Sequence, residues 1–182
     1  MRWMLTVALC LALLCLTGLG AATLERLSLE EMTQQSTEIV RGRVAASSVI
    51  PQGSILYTTS KIEVLERWKG PETGLVEAVV PGGSLGGVRQ TFSGAPSLKE
   101  GAEYVLFLWK SPSGLNHVIG LSQGVFDIRR DEKGGKVAFR AASAELMLDS
   151  ETHRPVRDES VRVRLGDLGE RIAQELNGGA RK

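Results

Sequence analysis

Apolar residues recur along this chain in three patterns, and each predicts a different kind of element. The first is an unbroken run. Trp3 to Leu24 carries no charge, and Met4 to Leu16 is almost wholly apolar behind the single basic residue Arg2. Gly20-Ala21-Ala22 then puts small residues where a signal peptidase reads. This is the build of a secretory signal peptide over residues 1–22. The second pattern is a helical period. Ser28-Leu29-Glu30-Glu31 sets a hydroxyl three positions ahead of a carboxylate, a capping box that predicts a short helix from Leu29 to about Gln35. Near the other end, Leu165, Leu168, Ile172 and Leu176 lie at helical spacing. They predict a helix from about Val163 to Leu176, with Asn177-Gly178-Gly179 as its stop.

The third pattern is alternation, and it fills the middle of the chain. Glu38 to Val44 places Val40 and Val44 on one face of a strand and Ile39 on the other. Tyr57 to Trp68 reads as the longest strand and is broken by Lys69-Gly70-Pro71. Leu75 to Val80 follows, ending at Pro81-Gly82-Gly83, and then the weaker Val88 to Phe92. Tyr104 to Trp109 is apolar enough to be buried on both faces. His117 to Leu121 and Val125 to Arg129 flank Ser122-Gln123-Gly124, and Lys136 to Arg140 can hairpin back through Asp131 to Gly135. The result is seven or eight short strands with a helix near each end and no internal repeat. Strands and helices do not alternate, which argues against a parallel α/β sheet. The expected fold is mainly β: a small antiparallel β-barrel, closed or half-closed, or else a sandwich.

Composition sharpens the picture at two points. The only cysteines, Cys10 and Cys15, lie in the signal segment. A mature chain beginning near Thr23 is therefore cysteine-free, which removes disulfides and thiolate chemistry together. Acylation of either cysteine is disfavoured, because Leu9 and Leu14 stand where a lipoprotein signal needs a small residue. A retained anchor helix of ~20 residues is the physical alternative to cleavage. The shift to Thr17, Gly18 and Gly20 suits cleavage better. Removing 22 of 182 residues leaves 160, read as one domain over 23–182. The whole chain has 22 basic and 21 acidic side chains, and Arg2 leaves with the signal. Such a neutral balance argues against a nucleic-acid partner and against capture by anionic membrane. The expected location is exported, periplasmic or extracellular, with no membrane contact after signal cleavage.

Candidate chemistry is sparse. Gly120-Leu121-Ser122-Gln123-Gly124 matches the G-x-S-x-G nucleophile elbow, and Asp149 and His153 follow in the order an α/β-hydrolase uses. The context opposes a catalytic role. An elbow needs a strand before the serine and a helix after it, whereas Val125-Phe126-Asp127-Ile128 alternates like a strand. A turn or bulge between paired strands is the simpler reading. Pro81 to Gly87 is glycine-rich but lacks the Lys-Ser/Thr ending of a phosphate-binding loop. It reads as a mobile loop between strands, and Gly82, Gly83, Ser84, Leu85, Gly86 and Gly87 are candidates for partner contact. The Ser93 to Pro96 turn is a second contact edge. His117 and His153 are far apart, so neither metal nor cofactor is expected. Trp68 and Trp109, each at a strand end, read as core filling, with stacking on a ligand as the alternative.

Five segments in order carry a resemblance. They are Thr37-Glu38-Ile39-Val40-Arg41-Gly42-Arg43-Val44; Ile62-Glu63-Val64-Leu65-Glu66-Arg67-Trp68-Lys69-Gly70; Val80-Pro81-Gly82-Gly83; Gly101-Ala102-Glu103-Tyr104-Val105-Leu106-Phe107-Leu108; and Gly120-Leu121-Ser122-Gln123-Gly124. The series resembles a group of uncharacterised exported bacterial proteins, and segments that stand ahead of matrixin-type metalloprotease domains. More distantly it is similar to the netrin-type domain of tissue inhibitors of metalloproteinases. That resemblance implies an oligonucleotide/oligosaccharide-binding-like (OB-like) barrel with helices beside it. It does not carry over the inhibitors' activity, which needs an N-terminal cysteine held by disulfides. The function expected is a non-enzymatic binding domain whose partner is a protein, such as a secreted protease or an envelope protein. A serine hydrolase using Ser122, and a purely structural envelope protein, are the alternatives.

Overall fold

A computed structural model describes residues 23–179. Residues 1–22, the expected signal segment with both cysteines, lie outside the described residues, as do 180–182. The described chain is mainly β with two helices. Strand β1 (Thr23–Arg26) leads to helix α1 (Leu29–Gln35), whose Ser28–Glu31 capping box forms as the sequence predicts. The Ser28 N–H donates to Glu31 Oε2 at 2.7 Å and the Glu31 N–H donates to Ser28 Oγ at 3.1 Å.

Two long strands follow, β2 (Glu38–Gln52) and β3 (Ile55–Lys69). Both run further than their alternation predicts, meeting in a tight turn at Gly53-Ser54. Three register shifts interrupt their pairing, between Ile39/Val40, Arg41/Gly42 and Val44/Ala46. Each shift inserts an unpaired residue and disturbs the ladder locally. Ile62 is fully buried while Leu65, three positions on and so on the opposite face, is exposed. At one of them the two backbones come very close: a Cβ on Gly42 would sit 2.6 Å from the Glu63 carbonyl oxygen. Next come β4 (Leu75–Pro81), the short pair β5 (Gly83–Leu85) and β6 (Val88–Gln90), then β7 (Glu103–Lys110) and β8 (Asn116–Val118). A 3-10 turn (Leu121–Gly124) leads to β9 (Val125–Arg130) and β10 (Lys136–Arg140). The chain closes with β11 (Leu146–Asp149), β12 (Pro155–Val156), β13 (Val161–Arg164) and helix α2 (Leu165–Gly179).

One sheet dominates. β7 pairs with β2, β2 with β3, and β3 with β4, all antiparallel. β8 pairs in parallel with β4 at Val79–His117 and antiparallel with β7, so the run of pairings returns to the strand where it began. β9, β10 and β13 extend outward from β7, each antiparallel to its neighbour. β1 pairs in parallel with β11, and β12 completes that small sheet.

The core follows from the period of two. Val40, Val44, Ile62, Ala78, Leu106 and Leu108 pack in one cluster. On the other face Ile39, Val105, Phe107, Phe126 and Ala138 pack beneath Met32 of α1 and Leu168 and Ile172 of α2. β7 feeds both clusters, with Tyr104, Leu106 and Leu108 to one and Val105 and Phe107 to the other. This burial on both faces is what its apolar run predicts.

Several sequence expectations need correction. Val163 does not start the last helix. Val161 to Arg164 alternates, pairs with β10 and hands over to the helix at Leu165. The helix also runs through the expected stop to Gly179. The strand at His117 ends at Val118, because Gly120 and Leu121 turn into the left-handed region. Residues 141–160 hold strands that the alternation does not reveal. That stretch is pinned by Asp158, whose carboxylate accepts both Arg140 Nη groups at 3.0 and 2.8 Å and the Ser143 N–H at 2.8 Å. Burial alone would raise the Asp158 pKa, but these donors outweigh it and hold the carboxyl below its ordinary value.

Candidate functional site

The Pro81–Gly87 segment is not a loose loop. Gly86 and Gly87 both take positive φ, the geometry a two-residue hairpin turn requires, and Leu85 faces Val88 across it. The hairpin is tied to the tip of β2 and β3. The Gly82 N–H donates to the Leu56 carbonyl at 2.8 Å, and the Thr58 hydroxyl donates to the Gly82 carbonyl at 2.8 Å. Gln90 clamps it twice: its Oε1 accepts the Leu56 N–H at 2.7 Å and its Nε2 donates to the Ser54 carbonyl at 2.8 Å. At Gly83 the fit is tight, since an added Cβ would lie 2.9 Å from the Val49 methyls.

This hairpin and the turn through Ser93–Pro96 wall a cleft of about 300 Å³. Thr58, Ser84, Arg89, Thr91, Phe92 and Ser97 are among its lining residues. The two segments singled out from composition thus flank one concavity. Phe92, which lines it, is 40 % exposed; Leu85 and Val88, paired at the tip of the hairpin and outside that lining, are 43 and 56 % exposed. Sequence reasoning missed Arg89, Gln90 and Phe92. Only the glycines marked the place, and an amide clamp between remote backbones leaves no local signature.

The second candidate, Gly120 to Gly124, has a different role. Ser122 lies in the 3-10 turn and is followed by β9, not by a helix. Asp149 Oδ1 accepts the Thr152 N–H and the Thr152 hydroxyl, both at 2.8 Å, and these donors hold its carboxyl below the ordinary value. His153 is exposed at φ 53°, and its backbone N–H donates to the Asp149 carbonyl at 2.9 Å. Among the described residues no side-chain hydrogen bond joins Ser122, Asp149 and His153. Gln123 and Gly124 are the buried members of the motif, and the Gln123 side chain is the one with polar groups to satisfy, the residue being 1 % exposed. Its Oε1 accepts the Leu27 N–H and its Nε2 donates to the Glu25 carbonyl, each at 2.8 Å, which fastens the N-terminal strand to the sheet. Gln123→Ala, by leaving both backbone groups unpaired, is expected to cost roughly 2 kcal/mol in urea unfolding. Ser122→Ala is expected to stay within about 0.5 kcal/mol of the wild type. A larger loss from Ser122→Ala than from Gln123→Ala would reverse this assignment.

A third feature surrounds Trp109. Expected in the core, it is 43 % exposed instead. Its ring lies 5.8 Å from that of His117, which meets Tyr57 edge-on at 5.5 Å. Partial burial lowers the His117 pKa below the ordinary histidine value. Among the described residues no three His, Asp or Glu side chains gather as a metal would need, and no helix is long and apolar enough to cross a membrane.

The remaining quoted segments are architectural. Lys69 Nζ donates to the Thr33 and Gln34 carbonyls at 2.8 and 2.9 Å, capping the end of α1. Gly70 stands over the Glu38 side chain, where a Cβ would be 2.7 Å from Cγ. Trp68 packs against Gly169 of α2. Arg41 pairs with Glu66 and Glu103, and Lys136 reaches Glu103 from β10. Comparison with protein-family models, with curated proteins and with solved structures yields no match to this chain.

Proposed function

We propose that this chain is an exported, non-enzymatic binding domain that docks a protein partner on the β5–β6 hairpin and the cleft beside it. One observation carries the reading. Three large apolar side chains stand exposed within eight residues of sequence: Leu85 and Val88 on a hairpin that Gln90 and Thr58 hold in place, and Phe92 two residues beyond its last strand. A rigid apolar projection loses little entropy on binding, and exposed apolar surface beside a cleft is what protein interfaces use.

The scaffold under this site is, in our reading, a small OB-like barrel. Four antiparallel pairings and one parallel pairing link β7, β2, β3, β4 and β8 back to β7, which supports that assignment. The order of the five sequence segments supports the likeness to exported bacterial proteins and, more distantly, to netrin-type domains. Export rests on the signal-peptide pattern of residues 1–22. A secreted protease or another envelope protein fits as the partner.

Cross-linking capture with the full chain, tagged at its C-terminus and read by mass spectrometry, tests both halves. One dominant partner is expected for the wild type, and its loss is expected for the Leu85→Asp/Val88→Asp variant. The intact mass of the recovered bait reads cleavage after Ala22. Recovery of the bait alone, or equal capture by the variant, would overturn the binding site.

A further inference from the structure

We propose that the outer edge of β2, from Ser47 to Pro51, takes up an extended segment of the partner as an added antiparallel strand. This rests on the binding reading above and names how the partner is held: by its main chain.

β2 is covered on one side only over part of its length. β3 pairs with it from Ile39 to Gln52, while β7 pairs on the other side over Glu38–Arg43 alone. Val44 still meets the chain there, donating to the Ala102 carbonyl at 3.0 Å and accepting the Gly101 N–H at 2.8 Å. Past Val44 that side has a single hydrogen bond among the described residues, from the Ser47 N–H to Glu100 Oε1 at 2.7 Å. The bond shows which residues face outward, because main-chain groups alternate between the two sides of a strand. Ser47, Val49 and Pro51 point away from β3. Leu56, opposite Pro51, agrees: its N–H and carbonyl are spent on Gln90 and Gly82, away from β2.

This edge lacks the charges that keep an edge from pairing. Val44 to Ser60 holds no Lys, Arg, Asp or Glu, although 24 % of the chain is charged. The terminal strands of the two larger sheets are guarded. β13 exposes Arg162 and Arg164, β1 exposes Glu25 and Arg26, β12 opens with Pro155, and β8 is paired on both sides. On β2 the one such device, Pro51, stands near the tip and sets where pairing stops.

The donors and acceptors decide the occupant. Glu100 takes the Ser47 N–H and proline has none, so Val49 is the donor left to serve an edge with carbonyls at Ser47, Val49 and Pro51. A second copy paired through the same edge would bring the same shortage of donors. A foreign strand brings an N–H at every residue. Those opposite Ser47, Val49 and Pro51 donate to the three carbonyls, and the middle one accepts the Val49 N–H. Such strand addition draws affinity from main-chain bonds. Val49 and Ile50, both half-buried, favour β-branched side chains on the added strand. Gly83, which opens the β5–β6 hairpin, packs on Val49, so the added strand lies next to the hairpin.

The probe is a phage-displayed library of random peptides, selected on the full chain. Selected peptides are synthesised with a fluorophore, titrated by anisotropy, and N-methylated at one residue at a time. Proline-free runs rich in Val, Ile and Thr are expected. Methylation at alternate residues is expected to weaken binding about tenfold or more, and methylation at the residues between them to leave it unchanged. Exchange of the Val49 amide, followed by NMR, is expected to be fast in the free chain and slowed by the peptide. A methylation scan without a period of two, or Val49 exchange that the peptide does not slow, overturns strand addition. If those same peptides are lost in the Leu85→Asp/Val88→Asp variant, the binding reading survives. A protected Val49 amide in a chain that sediments as a dimer gives the edge to a second copy and overturns the inference. No enriched peptide, with a partner still captured by cross-linking, overturns this inference alone. Neither peptide nor partner overturns both.

Discussion

Leu168→Asp is expected to lower stability by about 4 kcal/mol and the melting temperature by about 10 °C or more. Leu168 is 2 % exposed and Ile172, one turn on, is fully buried. They share a cluster with Met32, Ile39, Val105, Phe107 and Phe126. The substitution removes a buried leucine, worth about 1.5–3 kcal/mol, and asks a carboxylate to enter an apolar layer. The chain can escape that cost only by undocking α2. A 15-residue helix is marginal in water by itself, so undocking would lose the helix and expose the face of β7 beneath it. Gln174→Asp, on the exposed side of the same helix, should change stability by no more than about 0.5 kcal/mol. Thermal unfolding followed by circular dichroism decides the matter. An unchanged midpoint for Leu168→Asp would mean that the helix does not dock.

What the sequence makes legible here is local. The capping box at Ser28–Glu31 involves four consecutive residues, and it forms as expected. The two-faced burial of β7 is written in five successive apolar side chains, Tyr104 to Leu108. The division of Val40 and Val44 from Ile39 likewise follows from alternation within one strand. What failed depends on partners far away in the chain. β11 has only four residues and pairs with β1, more than a hundred positions earlier. A strand so short shows no alternation of its own. Val163 has helical spacing to its neighbours, but pairing of Val161–Arg164 with Val137–Arg140 takes precedence over it.

The candidate site divides in the same way. Glycines at 82, 83, 86 and 87 announced a place where the backbone does something unusual, and it is a hairpin with a cleft beside it. They could not announce that it is held still, because that depends on Gln90 reaching Ser54 and Leu56. The G-x-S-x-G match drew attention to the hydroxyl, while the buried, doubly bonded side chain is the glutamine beside it. Gly124 fits that picture too. An added Cβ would lie 2.5 Å from the Ile119 carbonyl oxygen, so the motif's second glycine answers a packing need. Much of the conspicuous sequence in this chain is therefore architecture. The surface we assign to binding is marked by exposure, which a sequence does not print.

Arg67→Met is expected to cost about 3–5 kcal/mol, and much of that loss should return when Glu38→Met is added. Arg67 and Glu38 join β3 to the start of β2, with side chains only 5 and 10 % exposed and Nη1 2.7 Å from Oε2. Arg67 Nη2 also donates to the Thr73 carbonyl at 2.9 Å, and Glu38 Oε1 accepts only a long 3.4 Å bond from Asn116. Removing the guanidinium strands a nearly buried carboxylate beneath Gly70, and no other cation pairs with it among the described residues. Removing both charges replaces two nearly buried ions with two flexible apolar side chains. The double variant should therefore be far more stable than the sum of the single losses implies, a coupling that a double-mutant cycle in urea reads directly. Strict additivity would mean that the two groups are solvated independently. A large coupling with little net loss in the double variant would mean that this pair sets the register between β2 and β3 more than it stabilises them. A charge pair that must find its partner rules out the neighbouring alignments, in which either ion would be buried alone.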